Sequence, residues 1–187
     1  MDKKIILAVL LVAIIVFVII SISNNNTQNN LQPSGDTEQT SSVKEETKQQ
    51  DIKKELATHN VPERFMEIIE NIISNGYASV DDIKTSDELK ESYSLEEIGE
   101  YEGILIKNED QDNYNEIALI VPSDNSLNDT LLLKMISRYE SIKANNPTAT
   151  YLRLPENVSI KQQGGMSIFI LSTNNESIYN LINEVSF

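Results

Sequence analysis

The sequence has no cysteine, no tryptophan and a single histidine, and these shortages restrict the chemistry open to the chain. Without cysteine there is no disulfide, no thiolate nucleophile and no thiolate metal ligand. A hydrolytic triad needs a histidine base, and His59 stands alone in a polar stretch. The composition therefore indicates neither a disulfide-stabilised domain nor a triad hydrolase.

Basic residues are also scarce. The 187 residues include 15 basic and 29 acidic side chains, a net charge of −14. Residues 1–59 hold 7 acidic and 6 basic side chains, whereas residues 60–187 hold 22 and 9, a net charge of −13. An acidic surface repels nucleic acid, anionic lipid headgroups and anionic wall polymers, so we expect none of these to be a direct ligand.

An uninterrupted apolar run extends from Ile5 to Ile22. As a helix it would be about 27 Å long, close to the hydrocarbon thickness of a bilayer. Lys3 and Lys4 precede it, so the positive-inside rule predicts residues 1–4 in the cytoplasm, a single-pass anchor at 5–22 and the rest outside the cell membrane. The alternative is a signal peptide cleaved near Ser21-Ile22-Ser23, but the run exceeds the usual signal core of about 7 to 15 residues, which favours a retained anchor.

Residues 23–60 are predicted to be a disordered polar linker. The stretch Asn24–Asn30 has almost nothing to bury and cannot offset the entropy of ordering. Farther along, Val43, Ile52 and Leu56 are too sparse for a coiled-coil seam. We expect the linker to act as a spacer, with a reach of about 35 Å for a flexible coil.

Residues 61–187 are predicted to form a small domain that contains helices and strands. A first helix begins at Pro62 and stops at Asn75-Gly76. Thr85 to Glu88 and Ser94 to Glu97 have capping-box spacing and predict two short helices. A long helix is predicted over 126–144 and a last one from Asn174 or Asn175. The apolar face of the first helix comprises Phe65, Ile68, Ile69, Ile72 and Ile73, that of the long helix Leu132, Met135, Ile136, Tyr139 and Ile142, and that of the last Ile178, Leu181, Ile182 and Val185.

Four strands alternate with these helices. Branched apolar residues predict strands at 103–107, 116–121, 158–162 and 166–171, paired as two antiparallel hairpins. The most continuous apolar runs, 117–121 and 168–171, predict the two central strands. The expected fold is an α+β, two-layer sandwich, preceded by the transmembrane helix and the linker.

The sequence resembles an uncharacterised bacterial family, domain of unknown function 4358, which is common in clostridia. The resemblance covers about Asp87 to Val185 and implies a short exported protein with an N-terminal membrane segment or lipoprotein signal. It implies no activity and supplies no catalytic residue. The segments that carry it are Tyr93-Ser-Leu-Glu-Glu97, Asn115 to Ile120, Arg138 to Lys143, Leu154-Pro155-Glu156 and Gly164-Gly165.

No residue is predicted to be catalytic, to bind a cofactor or to bind a metal. Gly164-Gly165 lacks the lysine of a phosphate-binding loop and is predicted to be a turn between strands. The acidic loop after Glu109 resembles part of a calcium loop. Counted from Asp110, however, its sixth residue is Asn115 rather than glycine and its twelfth is Val121 rather than glutamate. A solvated hairpin tip is the favoured interpretation.

Two functions remain open. The first is a protein-interaction module of the bacterial cell envelope, with another envelope protein as its partner and no cofactor. The second is an exported enzyme, or enzyme accessory, with a carboxylate-based site. An exposed apolar patch or an open sheet edge would favour the first. A deep pocket with two or more buried acids would favour the second, and the candidate acids are Glu96, Glu97, Glu100, Glu102 and Glu116.

Overall fold

A computed structural model describes residues 49–110 and 114–185. The predicted anchor at Ile5–Ile22 and most of the predicted linker lie outside these residues. Within them, no helix has the length and apolar character needed to cross a bilayer. The helices are α1 (residues 49–56), α2 (Glu63–Ser74), α3 (Ser86–Tyr93), α4 (Asn128–Asn145) and α5 (Asn175–Glu184), and the strands are β1 (Tyr101–Asn108), β2 (Asn115–Pro122), β3 (Val158–Gln163) and β4 (Met166–Leu171).

The four strands form one antiparallel sheet in the order β1-β2-β4-β3. Both predicted hairpins are present, and β2 pairs with β4 from Glu116 opposite Leu171 to Ile120 opposite Ser167. Gly164 and Gly165 have φ of 56° and 82°, which favours glycine at the β3–β4 turn. The α+β class, the strand pairs and the two central strands are therefore confirmed.

The expected two-layer arrangement is wrong, because helices cover both faces of the sheet. One core contains Ile117, Leu119 and Ile168 with α1, α2 and α5. The other contains Ala118 and Phe169 with α3 and α4. The domain therefore has three layers. A strand that is buried on both faces needs apolar residues at consecutive positions, which is the physical reason for the continuous runs in β2 and β4.

The linker boundary predicted at Asn60 is also wrong, because residues 49–60 belong to the folded domain. Ile52 and Leu56 are buried in the core beneath α2. Lys53 forms an ion pair at 3.3 Å with Glu70, whose side chain is only 7% exposed. Two apolar residues four positions apart are enough to dock one short helix, although they are too few for a coiled-coil seam. Residues 49–187 hold 24 acidic and 11 basic side chains, so the net charge is still −13.

Two local predictions about helices need correction. In α4 the buried residues are Leu131, Met135 and Ile142, whereas Ile136 is 46% exposed. Ser94 adopts a left-handed φ of 52° at the C-terminal end of α3, and its side chain makes no capping hydrogen bond. A 3-10 turn at Leu95–Glu97 stands where the helix was predicted.

The other predicted capping box is confirmed at the start of α3. Thr85 Oγ1 accepts from the Glu88 backbone N–H at 3.2 Å, and Thr85 N–H donates to Glu88 Oε2 at 3.0 Å. This reciprocal pair fixes where α3 begins, beside the outer edge of β1.

Candidate functional site

The structure separates the five acids that a carboxylate-based site would require. Glu116 is completely buried, whereas the other four are exposed. The acid pair on which an enzyme interpretation depends is therefore not assembled among them. The exposed four are Glu96, Glu97, Glu100 and Glu102.

Glu116 is the centre of a buried polar cluster between β2, α3 and α4. The Tyr93 hydroxyl donates to Oε1 at 2.8 Å, and the Tyr114 hydroxyl donates to Oε2. Arg138 donates through Nε to Oε1 at 2.9 Å and through Nη2 to Oε2 at 2.7 Å. We call these four residues the Glu116 cluster. A carboxylate has about four acceptor positions, and all four are occupied.

The electrostatics of the Glu116 cluster indicate a structural role. Burial raises the pKa of Tyr93 and of Tyr114 well above the ordinary value, and the negative charge of Glu116 raises both further. Both hydroxyls therefore keep their protons and continue to donate. The Glu116 oxygens receive their hydrogen bonds from side chains of this chain, which accounts for the burial of the carboxylate.

A polar cleft of about 680 Å³ lies between α3 and α4, and Tyr93 and Arg138 of the Glu116 cluster form part of its lining. Its cations already have partners. Lys107 pairs with Glu109 at 2.9 Å, and Lys134 Nζ donates to the Ser94 carbonyl oxygen at 2.5 Å. Arg138 is paired within the cluster. In the described part of the chain, no group of three or more histidine, cysteine or acidic residues could hold a metal ion.

The outer edge of β1 presents backbone groups that, near Tyr101 and Gly103, pair with no strand among the described residues. The Glu100 carbonyl accepts from Ser123 N–H at 2.9 Å. The backbone N–H and C=O groups of the even-numbered residues of β1 therefore point toward β2. The Leu105 carbonyl accepts from Lys84 N–H at 2.8 Å, so the backbone groups of the odd-numbered residues point away from β2, toward the outer edge. Because backbone direction alternates along an antiparallel strand, Tyr101 and Gly103 point their N–H and C=O groups away from the sheet.

A groove of about 540 Å³ follows this edge. The segment Thr58–Pro62, between α1 and α2, forms one side, and Thr85–Leu89 forms the other. Residues Tyr101–Leu105 form the floor. We call this feature the β1-edge groove. Ile83 makes a single antiparallel bridge to Ile106 at its end, and no described strand pairs with β1 beyond that point.

Glycine at position 103 shapes the floor of the groove. A Cβ there would lie 2.6 Å from Leu89 Cδ2 and 3.3 Å from the Leu119 carbonyl oxygen. A side chain at position 103 would therefore require the Leu89 side chain to shift. Because Gly103 has none, Leu89 lies directly over the strand and the backbone remains accessible from the groove.

The opposite edge of the sheet is protected differently. On β3, Lys161 and Gln162 are exposed, and Lys161 Nζ lies 3.7 Å from the centroid of the Tyr179 ring. An edge lysine is a common barrier to strand addition, because pairing would desolvate its charge. The two edges therefore differ in the access that they give to a further strand.

Sequence reasoning missed both features. His59, interpreted as an isolated linker residue, lines the β1-edge groove. The Glu116 cluster left a signal, since three segments that carried the family resemblance supply Tyr93, Glu116 and Arg138. The β1-edge groove has no corresponding signal in the sequence, because it depends on which strand lies at the edge of the sheet.

Comparison with models of known protein families, with curated proteins and with solved structures finds no match. The resemblance to domain of unknown function 4358 therefore remains a prediction.

Proposed function

We propose that this chain is a membrane-anchored, extracytoplasmic interaction module of the bacterial cell envelope, and that it binds an extended segment of another envelope protein as an additional strand on β1. The observation that carries the proposal is the edge at Tyr101 and Gly103, at the floor of the β1-edge groove, with which no strand in residues 49–110 and 114–185 pairs from outside. Strand addition obtains its affinity from main-chain hydrogen bonds and its specificity from alternate side chains.

The shape of the groove supports a bare segment as the occupant. Thr58–Pro62 and Thr85–Leu89 flank the edge on the two sides of the sheet. A single extended chain needs only the strand spacing of about 4.8 Å, whereas a second folded domain would bring its own flanking helices. The bridge from Ile83 to Ile106 indicates that this edge accepts pairing from outside.

The predicted anchor and linker add a reason for tethering. An anchor at Ile5–Ile22 would confine the domain to the outer face of the membrane, where the effective concentration of a neighbouring protein is high. A net charge of −13 on the domain would steer it toward basic partners. The localisation and the partner class follow from these sequence features, and they are part of the proposal.

The test compares two substitutions of Tyr101 in living cells. Both Tyr101→Pro and Tyr101→Ala remove the ring, but only proline removes the outward N–H. That N–H lies outside the β1–β2 ladder, so an edge proline leaves the sheet's own hydrogen bonds intact. A photocrosslinking amino acid is placed at Ser86 in the groove, and a control is placed at Gln162 on the opposite edge.

We expect a defined crosslinked protein from Ser86 and none from Gln162. The crosslink should persist with Tyr101→Ala and disappear with Tyr101→Pro, while thermal melting shows that both variants fold. Equal crosslinking in the two variants, or no crosslink from Ser86, would contradict strand addition at β1.

A further inference from the structure

We propose that the occupant of the β1-edge groove is a basic extended segment, with a lysine or arginine opposite Glu102 and an apolar residue opposite Gly103. This inference rests on the proposed strand addition and specifies the chemistry of the partner. It follows from the direction of the β1 side chains and from the charges around the groove.

The first step concerns Glu102. Its side chain lies on the α2 side of the sheet, where it pairs with Arg64 at 2.8 Å. Both members of this pair are well exposed, at 57% and 44%, so the pair is weak and the carboxylate is open to a second cation. Residues directly opposite each other on antiparallel strands place their side chains on the same face. A cationic residue opposite Glu102 would therefore meet its carboxylate.

The second step concerns Gly103, whose position faces the α3 side of the sheet. Leu89 covers this position and lines the groove. A residue opposite Gly103 would extend over the glycine toward Leu89. An apolar side chain there gains contact with Leu89, whereas a charged one would lose water without gaining a partner.

The third step concerns the electrostatic field at the Tyr101 end of the groove. Partial burial raises the pKa of Tyr101, and the negative charges of Glu96 and Asp87 raise it further. At the near end, Lys84 acts on Glu88, whose pKa is lowered first by hydrogen bonds with Thr85. The field that an arriving segment meets at Tyr101 is therefore negative, whereas Arg64 partly offsets the charge of Glu102 and Lys84 adds a positive charge at the near end of the groove.

The same charges disfavour a second copy of this chain as the occupant. Antiparallel pairing of two β1 edges about their centre would bring two copies of Glu102 together, and like charges placed opposite each other destabilise a strand pair. Each domain also has a net charge of −13. An anionic peptide would meet the same repulsion.

The test uses the full chain and a fluorescein-labelled peptide of about eight residues that alternates lysine with valine. A glutamate–valine peptide reverses the charge, and a lysine–serine peptide keeps the charge but removes the apolar residues. Fluorescence anisotropy at low ionic strength measures each affinity. We expect the lysine–valine peptide to bind at least about tenfold more tightly than either control peptide, and its affinity to fall as salt is added.

Two charge-reversing variants locate the contact. Glu102→Lys should weaken binding of the lysine–valine peptide about fivefold or more. Glu184→Lys changes the net charge equally at an exposed position outside the groove, and it should have little effect. Tyr101→Pro should abolish binding of the peptide, whereas Tyr101→Ala should not.

The outcomes distinguish this inference from the proposed function. Equal binding of all three peptides, lost in Tyr101→Pro, would overturn the basic and apolar pattern and leave strand addition intact. Equal weakening by Glu102→Lys and Glu184→Lys would show only nonspecific attraction and overturn the pattern. Dimerisation of the free chain that Tyr101→Pro abolishes would identify a second copy as the occupant and overturn it as well. Absence of binding by every peptide would also overturn the pattern, and the crosslinking experiment would then decide on the edge.

Discussion

The ion pair of the Glu116 cluster allows the sharpest prediction about stability. The substitution Arg138→Met keeps the length and apolar stem of the side chain but removes both donors to Glu116, the Nε bond at 2.9 Å and the Nη2 bond at 2.7 Å. The carboxylate has no exposed surface, so in the folded protein its hydrogen bonds come from these side chains and not from bulk water. Only the hydroxyls of Tyr93 and Tyr114 remain.

The expected loss is about 3 to 5 kcal/mol, the usual cost of leaving a buried charge without its partner. Since small domains are stable by about 5 to 15 kcal/mol, this is a large part of the free energy of unfolding. With an m-value of about 2 kcal/mol per molar urea, the unfolding midpoint should fall by about 2 M. Far-UV circular dichroism follows the transition, because the chain has no tryptophan.

Two comparisons show whether burial is the cause. Arg64→Met breaks a pair that is exposed on both sides and should cost less than about 1 kcal/mol. Adding Glu116→Gln to Arg138→Met removes the unpaired charge, so the double variant should be more stable than the sum of the single losses by about 2 kcal/mol. If Arg138→Met cost no more than Arg64→Met, the interpretation of Glu116 as a buried, fully satisfied anion would be wrong.

Three further predictions follow from other contacts. Leu56→Ala should lower the free energy of unfolding by about 2 to 5 kcal/mol, whereas Glu55→Ala, at an exposed position, should have little effect. Equal effects of the two substitutions would contradict the packing of α1 in the core. The raised pKa of Tyr114 means that the folded state keeps a proton that the unfolded state loses above about pH 10. Stability should therefore be complete below that pH and should fall as pH rises, and Tyr114→Phe should reduce the slope by about 1.4 kcal/mol per pH unit in alkaline unfolding curves. Gly103→Ala should destabilise the domain through the 2.6 Å approach to Leu89 Cδ2, and a loss that is unchanged in a Leu89→Ala background would exclude that contact as the cause.

Much of the fold could be predicted from the sequence because the signals were local. The run Met166–Leu171 is a strand with the predicted bounds, and Thr85 and Glu88 form the predicted capping box. In each case the residues that determine the structure are adjacent or three apart in the chain. Continuous apolar runs also identified the two central strands, since pairing on both sides buries both faces.

The errors arose where tertiary contacts decide. The continuous apolar runs of β2 and β4 have apolar side chains on both faces of the sheet and therefore need a layer of helices on each face. The two-layer prediction placed helices on one face only. In α4, Met135 and Ile142 of the predicted face are buried, but Leu131 rather than Leu132 is the third buried residue and Ile136 is exposed. Leu56 belongs to no longer apolar pattern in the sequence, and its burial depends on core residues that follow it in the chain, such as Phe65 and Ile68 of α2.

The candidate sites were still less accessible to sequence reasoning. Glu116 stands beside Ile117 at the start of an apolar run, and donors from Tyr93, Tyr114 and Arg138, up to 23 positions away, compensate for its burial. The β1 edge could not be predicted, because the strand order β1-β2-β4-β3 brings together segments that are distant in the chain. Local patterns give elements, whereas sites depend on how these elements meet.

Amide hydrogen exchange at Gly103 tests the central claim most directly. In the free full-length chain its outward N–H should exchange quickly, whereas the neighbouring Ile104 N–H, directed toward β2, should be protected. Addition of the lysine–valine peptide should slow exchange at Gly103 and leave Ile104 unchanged. A Gly103 amide that is already protected in the free chain, or that exchanges equally fast with the peptide bound, would contradict strand addition at β1.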